Sequence, residues 1–302
     1  MVRRPSAVML LLLASLSWGL ATALSKVALE QITPLDLFGI EVTSGALVLG
    51  LVALGRGGRL RRPDPRVLLL GVLEPGLAYL LFDVGVAHTA ATHGALLLAT
   101  ESIFTIALAA ALLHERLDTR LRLALVAGFL GSFLVSQEGG GSAGSVAGDV
   151  LVVAASASAA GYGVLARRIA PGRDPIRLTA VQMLSASALA APLAGIAAVQ
   201  GDSRLGQADG GHLGAALAVA LLASVVPFLL YNVAIERVTA SVAGLILTLV
   251  PLFGTLASVV LLSETLGAGQ LAGGALVGAA AALAATHAEP SPVLAGPGEC
   301  NA

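Results

Sequence analysis

The chain has 302 residues, of which 57% are hydrophobic and only 12% charged. Soluble domains carry roughly 25% charged residues, so this composition excludes a soluble globular protein and predicts an all-α, polytopic membrane protein. A formal net charge of −1, with the arginines in short loops between apolar runs, argues against nucleic acid as a partner. The single cysteine, Cys300, excludes a disulfide framework and a cysteine-based metal site.

The first apolar run, over residues 7–29, has two interpretations. Arg3 and Arg4, followed by leucines and an Ala-Thr-Ala triplet, imitate a secretory signal with its cleavage site. The apolar run continues past Ala23, however, and many more runs follow it. We therefore expect a retained first transmembrane helix.

Ten runs in the chain are long enough to cross a bilayer. A membrane-spanning helix needs about 20 predominantly apolar residues, and short connections between such helices favour antiparallel neighbours. The predicted spans cover residues 7–29, 36–54, 67–87, 92–113, 121–137, 147–167, 176–198, 212–234, 240–262 and 268–286. The Pro-rich segment 287–302 is predicted to be a disordered cytoplasmic tail.

The basic residues predict the orientation of these spans. Cytoplasmic loops are enriched in lysine and arginine, and a cytoplasmic N-terminus would place nearly all of the 17 basic residues on that side. Arg204, and Lys26 near the outer end of the first span, are the exceptions. Losing or adding one span in mid-chain would move later arginine loops outside, so the charge pattern favours ten spans with both termini inside.

The second half of the chain repeats the first. Segments 92–117 and 241–266 align without a gap at a spacing of 149 residues, which places Glu115 on Glu264. Because each half holds five spans, an odd number, the second half must enter the membrane from the opposite side. Such an inverted repeat is typical of secondary transporters, in which two halves exchange conformations around a central site.

The repeat also pairs polar positions inside the spans. Equivalent residues near the start of each half are 141 residues apart, and those further along each half are 149 residues apart. The difference fits extra length in the loop 199–211. The pairs are Trp18 with Ala159 and Glu41 with Gln182 at the shorter spacing, and Phe82 with Tyr231 and Asp83 with Asn232 at the longer one. Polar residues at the same point of both halves suit a site on the pseudo-twofold axis. Asp83 and Asn232 would equally suit caps at the outer ends of their spans.

These features resemble the EamA-like family of the drug/metabolite transporter superfamily. The residues that carry the resemblance are Ser17-Trp18-Gly19, Pro34, Glu115-Arg116-Leu117, Pro251-Leu252-Phe253 and Glu264-Thr265-Leu266. The resemblance implies two five-helix repeats, at residues 7–137 and 147–286, with a cavity lined by spans one to four and six to nine and with spans five and ten at the periphery. The chain departs from the family pattern at Ser102, where proline is frequent, and at Glu41, where arginine is frequent.

Ionisable side chains inside the predicted spans are candidates for a functional site. Each costs about 2.5–3.5 kcal/mol at a helix centre on insertion scales, so those that persist indicate a cavity or a partner. Glu101 lies deepest, with Thr100, Ser102 and Thr105 near it on the same run. We predict that Glu101 faces the cavity and binds a substrate amine or a coupling proton; a structural hydrogen bond between helices is the alternative.

Further candidates for the substrate or proton site lie in spans one, three, six, eight and nine. They are Trp18, Thr22, Lys26, Asp83, Tyr162, Tyr231, Asn232 and Thr248. Trp18, Thr22 and Lys26 share one helical stripe, and a mid-span tryptophan favours a cavity lining over an interfacial anchor. The small polar faces of spans six and nine are equally typical of helix packing.

A second group of residues is predicted to have structural or gating roles. It comprises Glu74, Pro75, Glu115, Pro251 and Glu264. Glu74 with Pro75-Gly76 predicts a break and hinge in span three, with snorkelling of Glu74 to the inner interface as the alternative. Glu41 is expected to be exposed near the outer surface, and His88 and His93 to be surface residues rather than metal ligands.

The sequence therefore predicts a secondary active transporter that exports a small polar metabolite, such as an amino acid, by alternating access. A passive channel or lipid-handling protein is the alternative. An intramembrane enzyme is a distant third, because the sequence has no zinc, nucleophile-elbow or phosphate-loop motif. No catalytic residue, metal or cofactor is expected.

The expected partners are the lipid bilayer, a small-molecule substrate, and protons or an exchanged solute. The Gly-x-x-x-Gly motifs at 269–273 and 274–278 would serve a homodimer or, equally, packing within the chain. High Ala, Gly, Leu and Arg content is typical of a GC-rich bacterial genome. This composition predicts a multi-pass protein of the bacterial cytoplasmic (inner) membrane.

Overall fold

The fold is a bundle of helices joined by short connections. The computed structural model describes residues 5–56, 63–88, 97–98, 100–115, 118–136, 145–262 and 266–286, and the regular elements in these ranges are all helical. We number the helices α1 to α10 and treat segments separated by at most one residue as one helix. They are α1 (Ala7–Ala28), α2 (Pro34–Gly55), α3 (Pro65–Gly71, Val72–Leu77 and Ala78–His88), α4 (Thr100–Leu108 and Ala109–Leu113), α5 (Thr119–Ser136), α6 (Val146–Ile169), α7 (Pro175–Gln200), α8 (Gly210–Val219, Ala220–Val225 and Val226–Ala234), α9 (Ala240–Leu247 and Leu249–Leu262) and α10 (Ala268–Ala285).

Side-chain caps and prolines define where most helices begin. Seven helices follow a Ser, Thr or Asp whose side chain accepts a hydrogen bond from a first-turn N–H, and three of these have proline at the first position, where no N–H is needed. The caps are Ser6, Thr33, Asp64, Ser145, Asp174, Asp209 and Thr239, and the prolines are Pro34, Pro65 and Pro175. The helix starts are thus encoded locally.

Within the described residues, eight helical stretches are long and apolar enough to cross a membrane. They are Ala7–Ala28, Pro34–Gly55, Pro65–Gly85, Val146–Ile169, Pro175–Gln200, Gly210–Ala234, Ala240–Leu261 and Ala268–Ala285. A shorter apolar helix covers Thr100–Leu113, and α5 has 18 residues. The all-helical membrane class is confirmed, whereas the division into ten spans stays a prediction.

Two long helices contain a wide π turn at matching places. In α3 the turn covers Val72–Leu77, and Glu74 has non-helical backbone angles of φ −152° and ψ 127°. In α8 it covers Ala220–Val225, just before Pro227. Proline lacks an N–H and its ring crowds the preceding turn, which interrupts a regular helix. The break predicted at Glu74 is confirmed, and α8 has a counterpart that sequence analysis did not identify.

Helix packing pairs the two halves of the chain. Helix n of the first half corresponds to helix n + 5 of the second half. α1 packs on α8 and α9, and its counterpart α6 packs on α3 and α4, the counterparts of α8 and α9. In the same way α2 packs on α7, α4 on α9 and α5 on α10. Two equivalent five-helix halves would produce this arrangement. A Cβ on Gly131 of α5 would lie 2.7 Å from the carbonyl oxygen of Gly273, so a glycine motif of α10 serves packing within the chain.

Matched hydrogen bonds relate the halves residue by residue. Ser17 Oγ donates to the Leu222 carbonyl (2.7 Å), and Ser158 Oγ donates to the Leu73 carbonyl (2.8 Å). A second pair consists of Ser15 to Ile246 (3.4 Å) and Ser156 to Leu97 (3.1 Å). In both pairs the donors are 141 residues apart and the acceptors 149, the two spacings of the sequence repeat. Each half therefore bonds its first helix to the third and fourth helices of the other.

One end of the bundle gathers arginines, and we call it the basic end. Arg173, after α6, forms an ion pair with Asp64 at the start of α3 (2.7 Å). Arg167 and Arg168 donate to main-chain carbonyls at the ends of α8 and α4. Arg237 donates to the main chain ahead of α1 (3.2 Å). The N-terminus and the α2–α3, α6–α7 and α8–α9 connections therefore share one end.

The opposite end, which we call the acidic end, joins the α1–α2 and α7–α8 connections. Asp209, the cap of α8, accepts a hydrogen bond from Gln31 Nε2 (3.2 Å) and donates its N–H to Gln31 Oε1 (2.9 Å). His212 lies 2.7 Å from Asp209 and 3.5 Å from Glu30. Asp36 accepts hydrogen bonds from Ser203 Oγ and the Arg204 N–H of the same α7–α8 connection. Of the five connections assigned to an end, those that follow one another in the chain lie at opposite ends.

Candidate functional site

Five aromatic side chains meet near the middle of the bundle, and we call them the aromatic cluster. They are Trp18 of α1, Tyr79 of α3, Tyr162 of α6, and Phe228 and Tyr231 of α8. Trp18 Nε1 donates to Tyr79 Oη and to the Ala223 carbonyl, both at 2.9 Å, and Tyr79 Oη donates to the same carbonyl at 2.8 Å. Phe228 packs edge-on against Trp18 and Tyr162, with ring centroids 5.5 and 5.6 Å apart. The π turn of α8 supplies the carbonyl that fixes these rings.

A buried amide network lies beside the aromatic cluster. Asn232 Nδ2 donates to Gln182 Oε1 (2.9 Å) and to Thr179 Oγ1 (3.0 Å), and Asn232 Oδ1 accepts from Tyr162 Oη (3.1 Å). Gln182 and Asn232, which we call the amide pair, are both 0% exposed. Because its groups are buried and mutually bonded, the network fixes α6, α7 and α8 relative to one another.

Four carboxylates lie on the first-half side of the same region. Glu41 and Asp83, which we call the acidic pair, are close enough for their charges to interact, as are Glu74 and Glu101. Tyr79 and Asp83 lie four residues apart on one face of α3. Phe38 and Val42, which flank Glu41 on α2, pack near Tyr79. Among the described residues, no Lys or Arg forms an ion pair with any of the four.

The exposure of these side chains indicates an accessible space inside the bundle. Trp18, Glu74, Tyr79, Asp83 and Glu101 each keep an intermediate accessible surface. A packed core would seal them, and the outer face would expose them fully. We take them as the lining of a candidate interior space, with Glu41, which is 5% exposed, at its edge.

The stripe predicted on span one extends from this space towards the acidic end. Ser15 is buried, Trp18 half-buried, and Thr22 and Lys26 exposed. Thr22 Oγ1 donates to the Trp18 carbonyl (2.9 Å). Lys26 Nζ lies 3.5 Å from Ser258 Oγ of α9. Accessibility thus increases along the stripe in the direction of the acidic end.

Three other predicted binding candidates are sealed, and one lies elsewhere. Tyr162 is 2% exposed, Tyr231 3% and Asn232 0%, so they support the site from behind rather than line it. Thr248 bonds the Leu245 carbonyl (2.6 Å) and faces Gly128 of α5. The structure therefore does not bring Thr248 to the aromatic cluster.

Glu115 joins two helices at the basic end, away from the interior space. Its carboxylate accepts hydrogen bonds from the N–H groups of Ala240 (2.9 Å) and Ser241 (3.0 Å) and from Ser241 Oγ (2.6 Å). It thereby caps the start of α9, where the helix dipole favours a negative charge. Pro251 lies within α9.

Two of the predicted positions, Glu264 and His93, lie outside the described residues. His88, at the end of α3, is exposed, as predicted for a surface residue. The part of the chain that the structure describes holds no group of three or more His, Cys, Asp or Glu residues placed to bind a metal ion.

Sequence reasoning missed three residues of the site. Glu41 was expected to be exposed, and this was wrong: it is 5% exposed, although it lies only two helical turns from the start of α2. Tyr79 and the bonding role of Gln182 were not identified. One signal for Tyr79 was available, since all three tyrosines and the only tryptophan of the chain lie in apolar runs, and all four meet in the aromatic cluster.

Comparison with known proteins agrees with this architecture. The model of the EamA-like transporter family matches residues 5–137 and 146–286. An uncharacterized transporter of Archaeoglobus fulgidus is 24% identical over 264 residues, covering 86% of this chain and 91% of its own. The uncharacterized transporter YyaM of Bacillus subtilis is 26% identical over 220 residues, covering 71% of each chain. A solved crystal structure with 21% identity superposes with a TM-score of 0.80 over 93% of this chain and 99% of its own, which shows a shared fold.

The family match covers nearly the whole described length, and the relatives carry transporter rather than enzyme names. The long apolar helices make the chain a multi-pass membrane protein. The chain therefore belongs to the EamA-like transporter family of the drug/metabolite transporter superfamily, and its function is membrane transport of a small molecule.

Proposed function

We propose that this protein is a secondary active transporter that exports a small polar metabolite by alternating access. The matched serine-to-carbonyl bonds are the observation that carries the proposal. Ser17 and Ser158 make the same contact from opposite halves, so the halves can exchange conformations without losing a class of contact. Such an exchange moves the opening of a central site from one end of the bundle to the other.

The architecture behind this proposal is ten helices in two inverted five-helix repeats, over residues 7–137 and 147–286. Both termini lie in the cytoplasm, and the basic end faces inside. The concentration of arginine contacts at one end supports this orientation through the positive-inside rule. The bacterial cytoplasmic membrane is the proposed location.

The π turns of α3 and α8 are the proposed hinges. Each contains or precedes a proline, and each presents a carbonyl to the first helix of the other half, Leu73 to Ser158 and Leu222 to Ser17. A helix with an interrupted hydrogen-bond ladder bends there at lower cost than a regular helix. Movement at either turn would therefore be transmitted across the interface between the halves.

The proposed substrate site is the interior space lined by Trp18, Glu74, Tyr79, Asp83 and Glu101. Glu101 binds a substrate group or a coupling proton there. Protons or an exchanged solute supply the driving force. Glu115, with its three hydrogen bonds to α9, holds α4 and α9 together at the basic end and takes a structural or gating role.

A counterflow assay tests the carrier mechanism. Liposomes containing the purified protein are loaded with one unlabelled compound from a panel of amino acids, dipeptides and cationic dyes, and a trace of the labelled compound is added outside. A carrier accumulates label transiently above its external concentration by exchange. A passive channel only equilibrates, and that outcome for every transported compound would overturn the proposal.

Glu101→Gln tests the role of the interior carboxylate in the same assay. We expect at least a tenfold loss of counterflow, with Asp202→Asn, an exposed acid at the acidic end, behaving as wild type. Unchanged counterflow in Glu101→Gln would mean that Glu101 has only a structural role. Efflux from preloaded cells then establishes direction: faster loss from cells that make the protein supports export.

A further inference from the structure

We propose that the substrate is an organic cation, bound between the acidic pair, Glu41 and Asp83, and the rings of Trp18 and Tyr79. The inference rests on the proposed function, because it takes the interior space as the substrate site. It adds the chemical class of the substrate, and it replaces the expected amino acid with an organic cation.

The first observation is a difference in charge between equivalent positions of the two halves. Glu41 corresponds to Gln182 at the 141-residue spacing, and Asp83 corresponds to Asn232 at the 149-residue spacing. In the second half these positions form the amide pair, joined by a 2.9 Å hydrogen bond. The first half has the same side-chain lengths with carboxylates in place of amides.

The acidic pair lacks the bond that joins the amide pair. An amide both donates and accepts, whereas two ionised carboxylates only accept and so repel each other. Glu41 is 5% exposed, and no hydrogen bond joins it to another described residue. Asp83 Oδ2 is buried and has no partner among the described residues, while the rest of the Asp83 side chain keeps an accessible surface. The pair therefore holds acceptors without a donor, at a place that a donor or a cation can approach from Asp83.

The charges of the region favour a positively charged ligand. Uncompensated carboxylates in an apolar bundle are costly, and protonation, a partner or a bound cation offsets that cost. Glu74 of α3 and Glu101 of α4 are further acids of the first half. A cationic substrate offsets this cost for as long as it is bound.

The rings identify the cation as organic. Tyr79 shares a helical face with Asp83 and accepts a hydrogen bond from Trp18, and aromatic faces attract alkylammonium groups by cation–π contact. A metal ion would instead need further oxygen or nitrogen ligands, and the described residues offer no set of three. An aromatic surface beside two carboxylates suits an alkylated amine or a related onium ion.

The position of Lys26 argues against a zwitterionic substrate. An amino acid would require a basic group for its carboxylate beside the acidic pair. Lys26 lies two turns beyond Trp18, about 12 Å along the helix at 1.5 Å per residue, where it contacts Ser258. Within the described chain, the lining around Trp18 and Tyr79 holds acids and rings but no basic side chain.

The only tryptophan of the chain provides the measurement, since Trp18 lies at the site. Its fluorescence in detergent-solubilised protein, excited at the red edge of the tryptophan band, is titrated with tetraphenylphosphonium, with neutral triphenylphosphine oxide and with zwitterionic L-phenylalanine. We expect a saturable fluorescence change with the cation. Its half-maximal concentration should be at least tenfold lower than that of either other probe. Equal or weaker response to the cation would overturn the proposal.

The double variant Glu41→Gln/Asp83→Asn tests the residues. It copies the amide pair that the same scaffold already accommodates, which favours correct folding, and Asp202→Asn is the matched control. We expect at least a tenfold loss of cation affinity in the double variant and none in the control. Unchanged affinity would exclude the acidic pair. If the double variant elutes as aggregate, Asp83→Asn alone is used with the same criteria.

Counterflow separates failure of this inference from failure of the proposed function. Counterflow of tetraphenylphosphonium that the double variant loses supports both. Counterflow of L-phenylalanine without that of the cation would leave the transporter standing and overturn the cationic substrate. Equilibration of the cation without transient accumulation would place the site in a channel and contradict the carrier.

Discussion

Asp209 is a residue whose ionisation strengthens the contact between two connections at the acidic end. The backbone N–H and the ring of His212 lower the pKa of Asp209 to about 2, and the side chain of Gln31 adds to this effect. A lowered carboxyl pKa contributes stability that is complete above the unfolded value of about 4 and is lost as pH falls towards the folded value.

We therefore expect Asp209→Asn to lower the melting temperature more at about pH 7 than at about pH 3, because the ionised carboxylate forms the stronger contact. Thermal unfolding of detergent-solubilised protein at both pH values measures the difference. Asp202→Asn, a change at an exposed acid of the same connection, serves as the matched control. The same decrease for Asp209→Asn at both pH values would show that ionisation of Asp209 does not strengthen the contact.

Single residues were easiest to identify where the helical period alone is informative. Trp18 and Glu101 each keep an intermediate accessible surface, and their place in a substrate site stays a prediction. Glu41 and Tyr79 depend on which neighbouring helix packs against theirs, and one sequence does not contain that information. The burial of Tyr162 and Asn232 likewise follows from a hydrogen bond between distant helices.

At the scale of the helices, Gly71 sets the distance between α3 and α7. A Cβ at this position would lie 2.2 Å from the Gln182 carbonyl oxygen and 2.6 Å from its Cα. Because both are main-chain atoms, the two helices would have to move apart. We expect Gly71→Ala to lower the free energy of unfolding by about 1–3 kcal/mol and to disturb the adjacent amide pair.

Gly50→Ala is the matched control in α2, where a Cβ would meet nothing within 4 Å. It should leave stability unchanged or raise it by up to about 1 kcal/mol, since alanine has the higher helix propensity. Chemical denaturation in detergent compares the two variants. Equal effects would mean that α3 and α7 separate freely at Gly71.

The helices themselves were largely predictable, and their interruptions only in part. Long apolar runs with capping residues give helices almost directly. The break in α3 was expected because Pro75 follows a charged residue inside an apolar run. The equivalent turn in α8 lies before Pro227 in a run without charge, so the proline alone marked it, and sequence analysis did not use that signal.

At the scale of the whole molecule, the native Cys300 reports the orientation of the C-terminus. We expect a membrane-impermeant maleimide to label Cys300 only after the cells are permeabilised, because the tail is predicted to be cytoplasmic. Gly206→Cys in a Cys300→Ser background should be labelled in intact cells, since this exposed position lies at the acidic end. The reverse labelling pattern would show the opposite orientation in the membrane. Labelling of both positions in intact cells would require an odd number of spans.

The overall plan was visible in the sequence because duplication leaves a regular spacing. The two spacings reappear in the cross-half bonds, where Ser17 and Ser158 meet Leu222 and Leu73. The shape of the interior space was not visible, since it depends on all four helices that surround it. Substrate chemistry consequently had to be inferred from the contacts.

The four matched serine hydroxyls, those of Ser15, Ser17, Ser156 and Ser158, all donate to main-chain carbonyls of the other half. A main-chain acceptor exists whatever side chain its residue carries. Each contact therefore constrains the identity of one residue, the serine, instead of two. Leu73 and Leu222 are free to mutate to other apolar residues, whereas a pairing of two side chains would need coordinated substitutions. After a gene duplication, each copy could therefore diverge independently, one towards carboxylates and the other towards amides, while the joint between them was inherited unchanged.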